Sequence, residues 1–268
     1  MADLEPLYWQ TQGNAGALPD LVLDHGGGGS SDDWRVLAPL LAQHTRVFRY
    51  DRAGMGRSAR DGRGCSAAAV AMRLEALVER MQVRKPFVLI GYSLGGLYAQ
   101  DYAARHPEQI AGLVLLDTTP TGFPLDPARV RRALRLLRLL HGLARVGLAR
   151  LLVGKQEHLQ RAIAQMRAPD WLSRMREEID AIAGVQAEVA QRATRLRHPT
   201  LAVLAGARNR ETEAEFVRFK QLQRELMQTA PAPLSQVVAV AGAHHGSLLI
   251  QHADEVAAHI LAFARSLR

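Results

Sequence analysis

The strongest constraint on the fold is an alternation, up to Asp117, of short apolar runs with stretches of helical period. The runs Leu21-Val22-Leu23, Val47-Phe48-Arg49-Tyr50, Phe87-Val88-Leu89-Ile90 and Gly112-Leu113-Val114-Leu115-Leu116 are each bounded by glycines or polar turn residues. Runs so short and so apolar read as strands buried on both faces. Between them, residues 67–81 place Val70, Leu74, Leu77 and Met81 on one helical face, and residues 96–105 read as a second helix. Strand, helix and strand in repetition predict a mostly parallel central sheet with helices packed on both sides, an α/β fold.

The rhythm changes after Asp117. Residues 120–197 carry helical periodicity with no convincing strand, and Pro199-Thr200-Leu201-Ala202-Val203-Leu204 then resumes the sheet. Gln236-Val237-Val238-Ala239-Val240 supplies a last strand and residues 254–267 a closing helix. The predicted organisation is a core of residues 1–119 and 198–268, interrupted by a helical cap over residues 120–197. Within the insertion Ala133, Leu136, Leu137, Leu140, Ala144 and Leu151 share one helical face and Arg131, Arg135, Arg138 and Arg145 the opposite one, with Gly142 and Gly147 as points of division into two helices. Such an arginine face is either a solvated outer surface or a place of weak binding to an anionic membrane.

A formal charge of +8 raises the question of a nucleic-acid partner, but the arginines are spread along the chain and aromatic residues make up only 5%, leaving few platforms for bases. No nucleic-acid partner is expected. Cys65 is the single cysteine, so an intrachain disulfide is impossible and packing must hold the fold, as suits a reducing compartment. Met1-Ala2-Asp3-Leu4-Glu5-Pro6 has neither the basic start nor the apolar run of a secretory signal, and no apolar stretch is long enough to span a bilayer. The expectation is a cytoplasmic protein without integral membrane association.

Chemistry is concentrated at Gly91-Tyr92-Ser93-Leu94-Gly95-Gly96. A serine hydroxyl is a poor nucleophile until a base takes its proton, so a serine enzyme must hold the side chain out where both base and substrate reach it. A buried strand ending at Ile90, the turn Gly91-x-Ser93-x-Gly95 and an immediate helix supply that presentation. Small residues two before and two after the serine let strand and helix close tightly around a strained turn.

Three motifs, Asp24-His25-Gly26-Gly27-Gly28-Gly29, Asp51-Arg52-Ala53-Gly54-Met55-Gly56-Arg57-Ser58 and Gly91-Tyr92-Ser93-Leu94-Gly95-Gly96, resemble the α/β-hydrolase superfamily, and the resemblance extends in order over nearly the whole chain. It implies the α/β-hydrolase fold with Ser93 as nucleophile. The middle motif is similar to the family's structural loop, stabilised here by Asp51 and Arg52. The resemblance further implies an oxyanion hole, with one amide from Leu94 after the nucleophile and one from Gly27 in the loop after the earlier strand. Gly28 is the rival second donor. Such donors, aimed at the oxygen that gains charge in acyl transfer, are worth about 3 kcal/mol each. Four glycines at positions 26 to 29 leave no Cβ between backbone and substrate, and His25 is expected to support the loop.

The same resemblance places the base after the last strand, where Val240-Ala241-Gly242-Ala243-His244-His245-Gly246 offers two histidines. The family's G-x-G-H pattern, set on Gly242, falls on His245, with His244 in place of the second glycine as the alternative base. The usual acid position reads Gly206-Ala207-Arg208-Asn209, and an asparagine cannot carry the charge that stabilises an imidazolium. A second position used in some branches, directly after the preceding strand, holds Asp117. Glu211, or no carboxylate at all, are the alternatives, and ordinary turn capping before Thr118-Thr119-Pro120 is the competing role for Asp117.

Together these readings predict a serine hydrolase acting on a small-molecule carboxylic ester or related acyl substrate, with Ser93, His245 and Asp117 catalytic and Gly27 and Leu94 forming the oxyanion hole. No H-E-x-x-H run or cysteine cluster suggests a metal, and no cofactor is implied. Serine at the elbow argues against the epoxide hydrolases and haloalkane dehalogenases of the superfamily, which use aspartate there. A cofactor-free haloperoxidase, a C–C bond hydrolase and a non-catalytic ligand-binding protein of the same fold are the alternatives.

Overall fold

The computed structural model of the chain describes residues 7–268 except residues 125, 150–156, 169 and 210. Among the described residues seven strands form one sheet in the order β1-β3-β2-β4-β5-β6-β7. They are β1 (Trp9–Gln12), β2 (Leu21–Asp24), β3 (Val47–Tyr50), β4 (Phe87–Tyr92), β5 (Ile110–Leu116), β6 (Thr200–Ala205) and β7 (Gln236–Val240). β1 runs antiparallel to β3 and every other pair is parallel. The helices are α1 (Leu37–Ala42), α2 (Ala67–Arg80), α3 (Leu94–Arg105), α4 (Pro127–Arg145), α5 (Glu157–Met166), α6 (Trp171–Arg192), α7 (Glu213–Met227) and α8 (Ala253–Ser266).

The apolar runs are continuous because both faces of the sheet are covered. Leu21, Leu23, Val88, Ile90, Val114, Leu116, Leu201 and Val203 join one core with Leu37 and Leu41 of α1 and Val256 and Ile260 of α8. The alternate residues Val22, Leu89, Leu113, Leu115, Ala202 and Leu204 join the other with Leu74, Leu77 and Val78 of α2 and Ala99 and Tyr102 of α3. Burying a side chain of this kind contributes about 1.5–3 kcal/mol, so the strands are committed to their faces and the register is fixed. β1 has no counterpart in the apolar pattern: Trp9-Gln10-Thr11-Gln12 is polar because it forms the outer edge beside β3.

The chain divides into two compact units, Met1–Phe123 with Gly184–Arg268, and Pro124–Ala183. The second unit is shorter than the helical stretch 120–197, because the last turns of α6 belong to the first unit. Gln186 Nε2 donates to the carbonyls of Pro120 (2.7 Å) and Phe123 (2.9 Å), Glu188 accepts the Ala68 amide (3.1 Å), and Val185 and Val189 are buried.

In the second unit α4 runs unbroken through Gly142, a cost of about 1 kcal/mol that an interior glycine can bear. Gly147, at φ +80°, lies in the turn that follows. His141 Nδ1 meets the Met166 carbonyl at 2.6 Å, tying α4 to α5 beside a small cluster of Ala144, Ala149 and Ile163. Of the expected apolar face, Ala144 is buried, Leu137 and Leu140 are half-buried, and Ala133 and Leu136 are exposed. Leu151 lies outside the described residues. The inward stripe is rotated toward Leu134, Leu137, His141 and Ala144, because the polar His141 points in to reach its carbonyl.

Candidate active site

Parallel strands bring their C-terminal ends to one edge of the sheet, which is where α/β folds assemble sites. Ser93 follows β4, Asp117 follows β5, and His245 follows β7 after a short turn. At Ser93 the backbone adopts φ 54°, ψ −117° before α3 begins at Leu94. A residue with a Cβ held there is strained, by about 1–3 kcal/mol. The surroundings over-determine the strain: the Ser93 amide donates to Leu116 O (3.0 Å), and its carbonyl accepts from the amides of Gly96 and Thr119 (3.1 Å each) and from Thr118 Oγ1 (3.2 Å). The flanking glycines are required by contact. A Cβ on Gly91 would lie 2.5 Å from the Gly95 carbonyl, and one on Gly95 would lie 2.4 Å from the Asp24 carbonyl.

His245 Nε2 stands 3.1 Å from Ser93 Oγ, and Nδ1 stands 2.7 Å from Asp117 Oδ2. Asp117 is 2% exposed and itself in the left-handed region at φ 43°. Its amide donates to Val203 O (2.8 Å), and its other carboxylate oxygen, Oδ1, accepts the Ala205 amide (3.1 Å), Gln223 Nε2 (3.3 Å) and the Lys220 ammonium. Burial by itself would raise this carboxyl. The His245 hydrogen bond and the Lys220 charge outweigh it and hold Asp117 at about 2. The ring of Tyr92 stacks on His245 with centroids 5.0 Å apart, and its hydroxyl donates to the His245 carbonyl at 2.6 Å. Burial, with Asp117 and Asp33 nearby, pushes that phenol well above its ordinary range, so it stays a donor.

The glycine run folds as a tight turn closed by the Gly29 amide on the Gly26 carbonyl (3.2 Å), with Gly28 at φ +66°. A Cβ on Gly26 would lie 3.5 Å from Ser93 Cβ, which sets the turn against the serine. His25 is fully buried; burial first, then the Arg52 charge, hold its ring well below the ordinary range and therefore neutral. Nδ1–H donates to Gly26 O (2.8 Å), and Nε2 accepts the Arg52 amide (3.2 Å). The Arg52 guanidinium donates to Asp24 Oδ1, His25 O (2.6 Å) and Gly26 O (2.8 Å). Asp51 links both loops by accepting the amides of Ser31 (2.6 Å) and Arg57 (2.8 Å). Gly27 is exposed, and Leu94 is the first residue of α3, a position whose amide has no intrahelical acceptor.

Of the alternatives left open by the sequence, Asn209 is exposed in the loop after β6, and Glu211 is half-buried there with its carbonyl accepting Arg208 (3.2 Å). The Nδ1 partner of His245 is Asp117. It is the ring of His245, not of His244, that meets Ser93 Oγ; the His244 backbone amide donates to Ser247 Oγ at 3.0 Å. Sequence reasoning missed Tyr92, Lys220 and Gln223. A signal existed for the last two, since Phe216, Lys220, Gln223 and Met227 share one face of α7 at helical spacing, and the last three are buried. Among the described residues no group of three or more histidine, cysteine or acidic side chains is disposed to hold a metal.

A model of the alpha/beta hydrolase family matches residues 21–259. Over 116 residues the chain is 40% identical to the pimeloyl-(acyl-carrier protein) methyl ester esterase of Sodalis glossinidius (strain morsitans), covering 42% of this chain and 41% of the relative. Over 119 residues it is 36% identical to the Klebsiella pneumoniae (strain 342) esterase of the same name, covering 44% and 42%. The match therefore spans less than half the length of these relatives. Among solved structures, the enol-lactonase from Burkholderia xenovorans LB400 shares the fold at a TM-score of 0.72 and 23% identity, over 96% of this chain and 95% of that one.

Proposed function

The chain belongs to the alpha/beta hydrolase family, and from that premise we propose that it hydrolyses carboxylic esters or related acyl substrates through an acyl-enzyme on Ser93. The observation that carries the reading is the hydrogen-bond line from Ser93 Oγ through His245, 3.1 Å on one side and 2.7 Å to Asp117 on the other. His245 Nε2 takes the hydroxyl proton as Oγ attacks the acyl carbon, and returns it to the departing alkoxide. Water then enters by the same base and releases the acid and Ser93. Asp117 fixes the Nδ1–H tautomer and faces the imidazolium as it forms; a carboxyl held at about 2 is ionised wherever such an enzyme works. The amides of Gly27 and Leu94 receive the oxyanion, with the Gly26–Gly29 turn held for this by His25 and Arg52.

The reading needs neither metal nor cofactor. Its substrate is a small acyl compound, and the names of the curated relatives make methyl esters of acyl chains the first compounds to test. Residues Pro124–Ala183 are assigned as the inserted helical cap of the fold. No described helix is long and apolar enough to cross a membrane, and the lone Cys65 supports a cytoplasmic setting. Arg131, Arg135 and Arg138 are exposed on α4, so weak contact with an anionic surface belongs to the same proposal. A fluorophosphonate probe tests the central claim. Labelling and ester turnover that both disappear in Ser93→Ala support it, whereas a folded wild type that neither labels nor turns over any ester is a ligand-binding protein.

A further inference from the structure

Among the described residues Asp117 pairs with Lys220 as well as with His245, and the lysine is not the base. Lys220 on α7 has a side chain 6% exposed and forms an ion pair with Asp117 Oδ1. Its ammonium lies against the rings of Phe216 and Phe219, 5.3 and 5.2 Å from their centroids. We propose that Lys220 is a positioning residue of the reaction, which acts through the Asp117 carboxylate to extend the pH range over which His245 serves as base toward acid. The proposal rests on the assignment of Ser93, His245 and Asp117 given above.

Orientation alone does not call for a lysine here. Oδ1 already accepts the Ala205 amide at 3.1 Å and Gln223 Nε2 at 3.3 Å, and Gln223 is itself held by the Thr118 carbonyl at 2.8 Å. Neutral donors thus fix the carboxylate, while burying an ammonium costs several kcal/mol unless its charge is matched. What the lysine adds is charge. Beside a lone aspartate, a proton arriving on His245 makes a neutral pair; beside Asp117 with Lys220, it leaves a net positive cluster. Lys220 therefore opposes the positive charge that His245 takes up as base.

The other groups facing His245 do not supply this effect. The Tyr92 phenol stacked on it is neutral, Ser93 is neutral, and the preceding His244 is held to Ser247 Oγ through its backbone amide. Asp33, beyond Tyr92, is raised to about 6 by burial and so titrates in the relevant range, which makes it the necessary control.

The test is the pH profile of kcat/KM for a water-soluble short-chain ester, with fluorophosphonate titration of active sites and a thermal melt for each variant. Lys220→Gln keeps a donor and removes the charge. Its acidic limb should move up by about one pH unit, as for loss of a unit charge one carboxylate away at an effective dielectric of about 40, between protein and water because the His245 side chain is 42% exposed, while Lys220→Arg keeps the wild-type limb. The Lys220→Gln shift should persist in an Asp33→Asn background. A folded Lys220→Gln that loses turnover without moving the limb overturns the proposal. So does failure of both Lys220→Gln and Lys220→Met to fold while Lys220→Arg is normal, because the lysine is then scaffold. Turnover that survives Ser93→Ala overturns the hydrolase reading and this proposal with it; loss in Ser93→Ala with an unmoved Lys220→Gln limb overturns this proposal alone.

Discussion

Replacing Asp117 by asparagine separates the roles of charge and geometry, and the structure dictates which way the new amide will face. Oδ1 now accepts three donors, the Ala205 amide, Gln223 Nε2 and Lys220. Only an oxygen can occupy that place, so the asparagine NH2 must take the Oδ2 position, 2.7 Å from His245 Nδ1. Nδ1 is then forced to accept, and its proton moves to Nε2, opposite Ser93 Oγ. A ring protonated there cannot take the serine proton. The wrong tautomer together with the missing anion predicts a loss of kcat of about 10⁴, as in other triads with this change.

The same substitution strands a buried ammonium. Lys220 and Asp117 side chains are 6% and 2% exposed, and breaking a buried pair by removing one charge costs about 3–5 kcal/mol. Asp117→Asn should therefore lower the urea midpoint as well as turnover, and the double variant Asp117→Asn with Lys220→Met should regain much of the stability but none of the activity. Steady-state ester hydrolysis well below the melting temperature, beside equilibrium unfolding, measures both. Turnover within tenfold of wild type in a folded Asp117→Asn, or a comparable loss in Glu211→Gln, would refute the reasoning.

Ser93→Ala and Ser93→Gly both remove Oγ and should be equally inactive, but only glycine relieves the φ 54° strain, so Ser93→Gly should unfold about 1 kcal/mol harder; equal stability would remove the claim of strain. Asp33, raised to about 6 chiefly by burial, holds its proton more tightly folded than unfolded, so its contribution is lost as pH rises from about 4 through 6. Asp33→Asn should then be more stable than wild type at neutral pH, by about 1–2 kcal/mol after allowing for residual water contact, with the gap closing below about pH 4 in denaturant titrations. Tyr92→Phe deletes the 2.6 Å bond to the His245 carbonyl, which should cost about 1 kcal/mol of stability and lower kcat by about tenfold through a less restrained base, read from the same two assays.

What could be read from the sequence was local. The strand, turn and helix around Ser93 lie within consecutive residues, and the buried strands announce themselves because two covered faces demand unbroken apolar runs. Asp117 and His245 were reachable only through resemblance, since 128 positions separate them and nothing local marks their meeting. β1 escaped notice because an edge strand needs little apolar pattern. Lys220 escaped for a different reason: a lysine on a helix is normally solvated, and only the placement of α7 beside the end of β5 makes it a buried partner. The second compact unit, Pro124–Ala183, is shorter than the helical stretch legible at 120–197 because helical period persists through α6 while the packing partner changes within it.

The proposed acid, Asp117, reaches His245 from an unusual strand end, and that placement has a geometric explanation. β5 lies between β4 and β6, and the Asp117 amide bonds to Val203 of β6 while its carboxylate accepts the amide of Ala205, the last residue of that strand. The side chain therefore leans across the end of β6, over the place from which the family's usual acid would rise. A carboxylate needs only to reach Nδ1, and a left-handed residue at the end of the neighbouring strand delivers it there at φ 43°. Once it does, the loop after β6 has no charge to supply, and Asn209 can sit exposed without penalty. The consequence runs to α7 as well. An acid arriving from β5 presents its second oxygen toward Lys220 and Gln223 instead of toward solvent, so the helix after the substituted loop becomes part of what holds the acid in place.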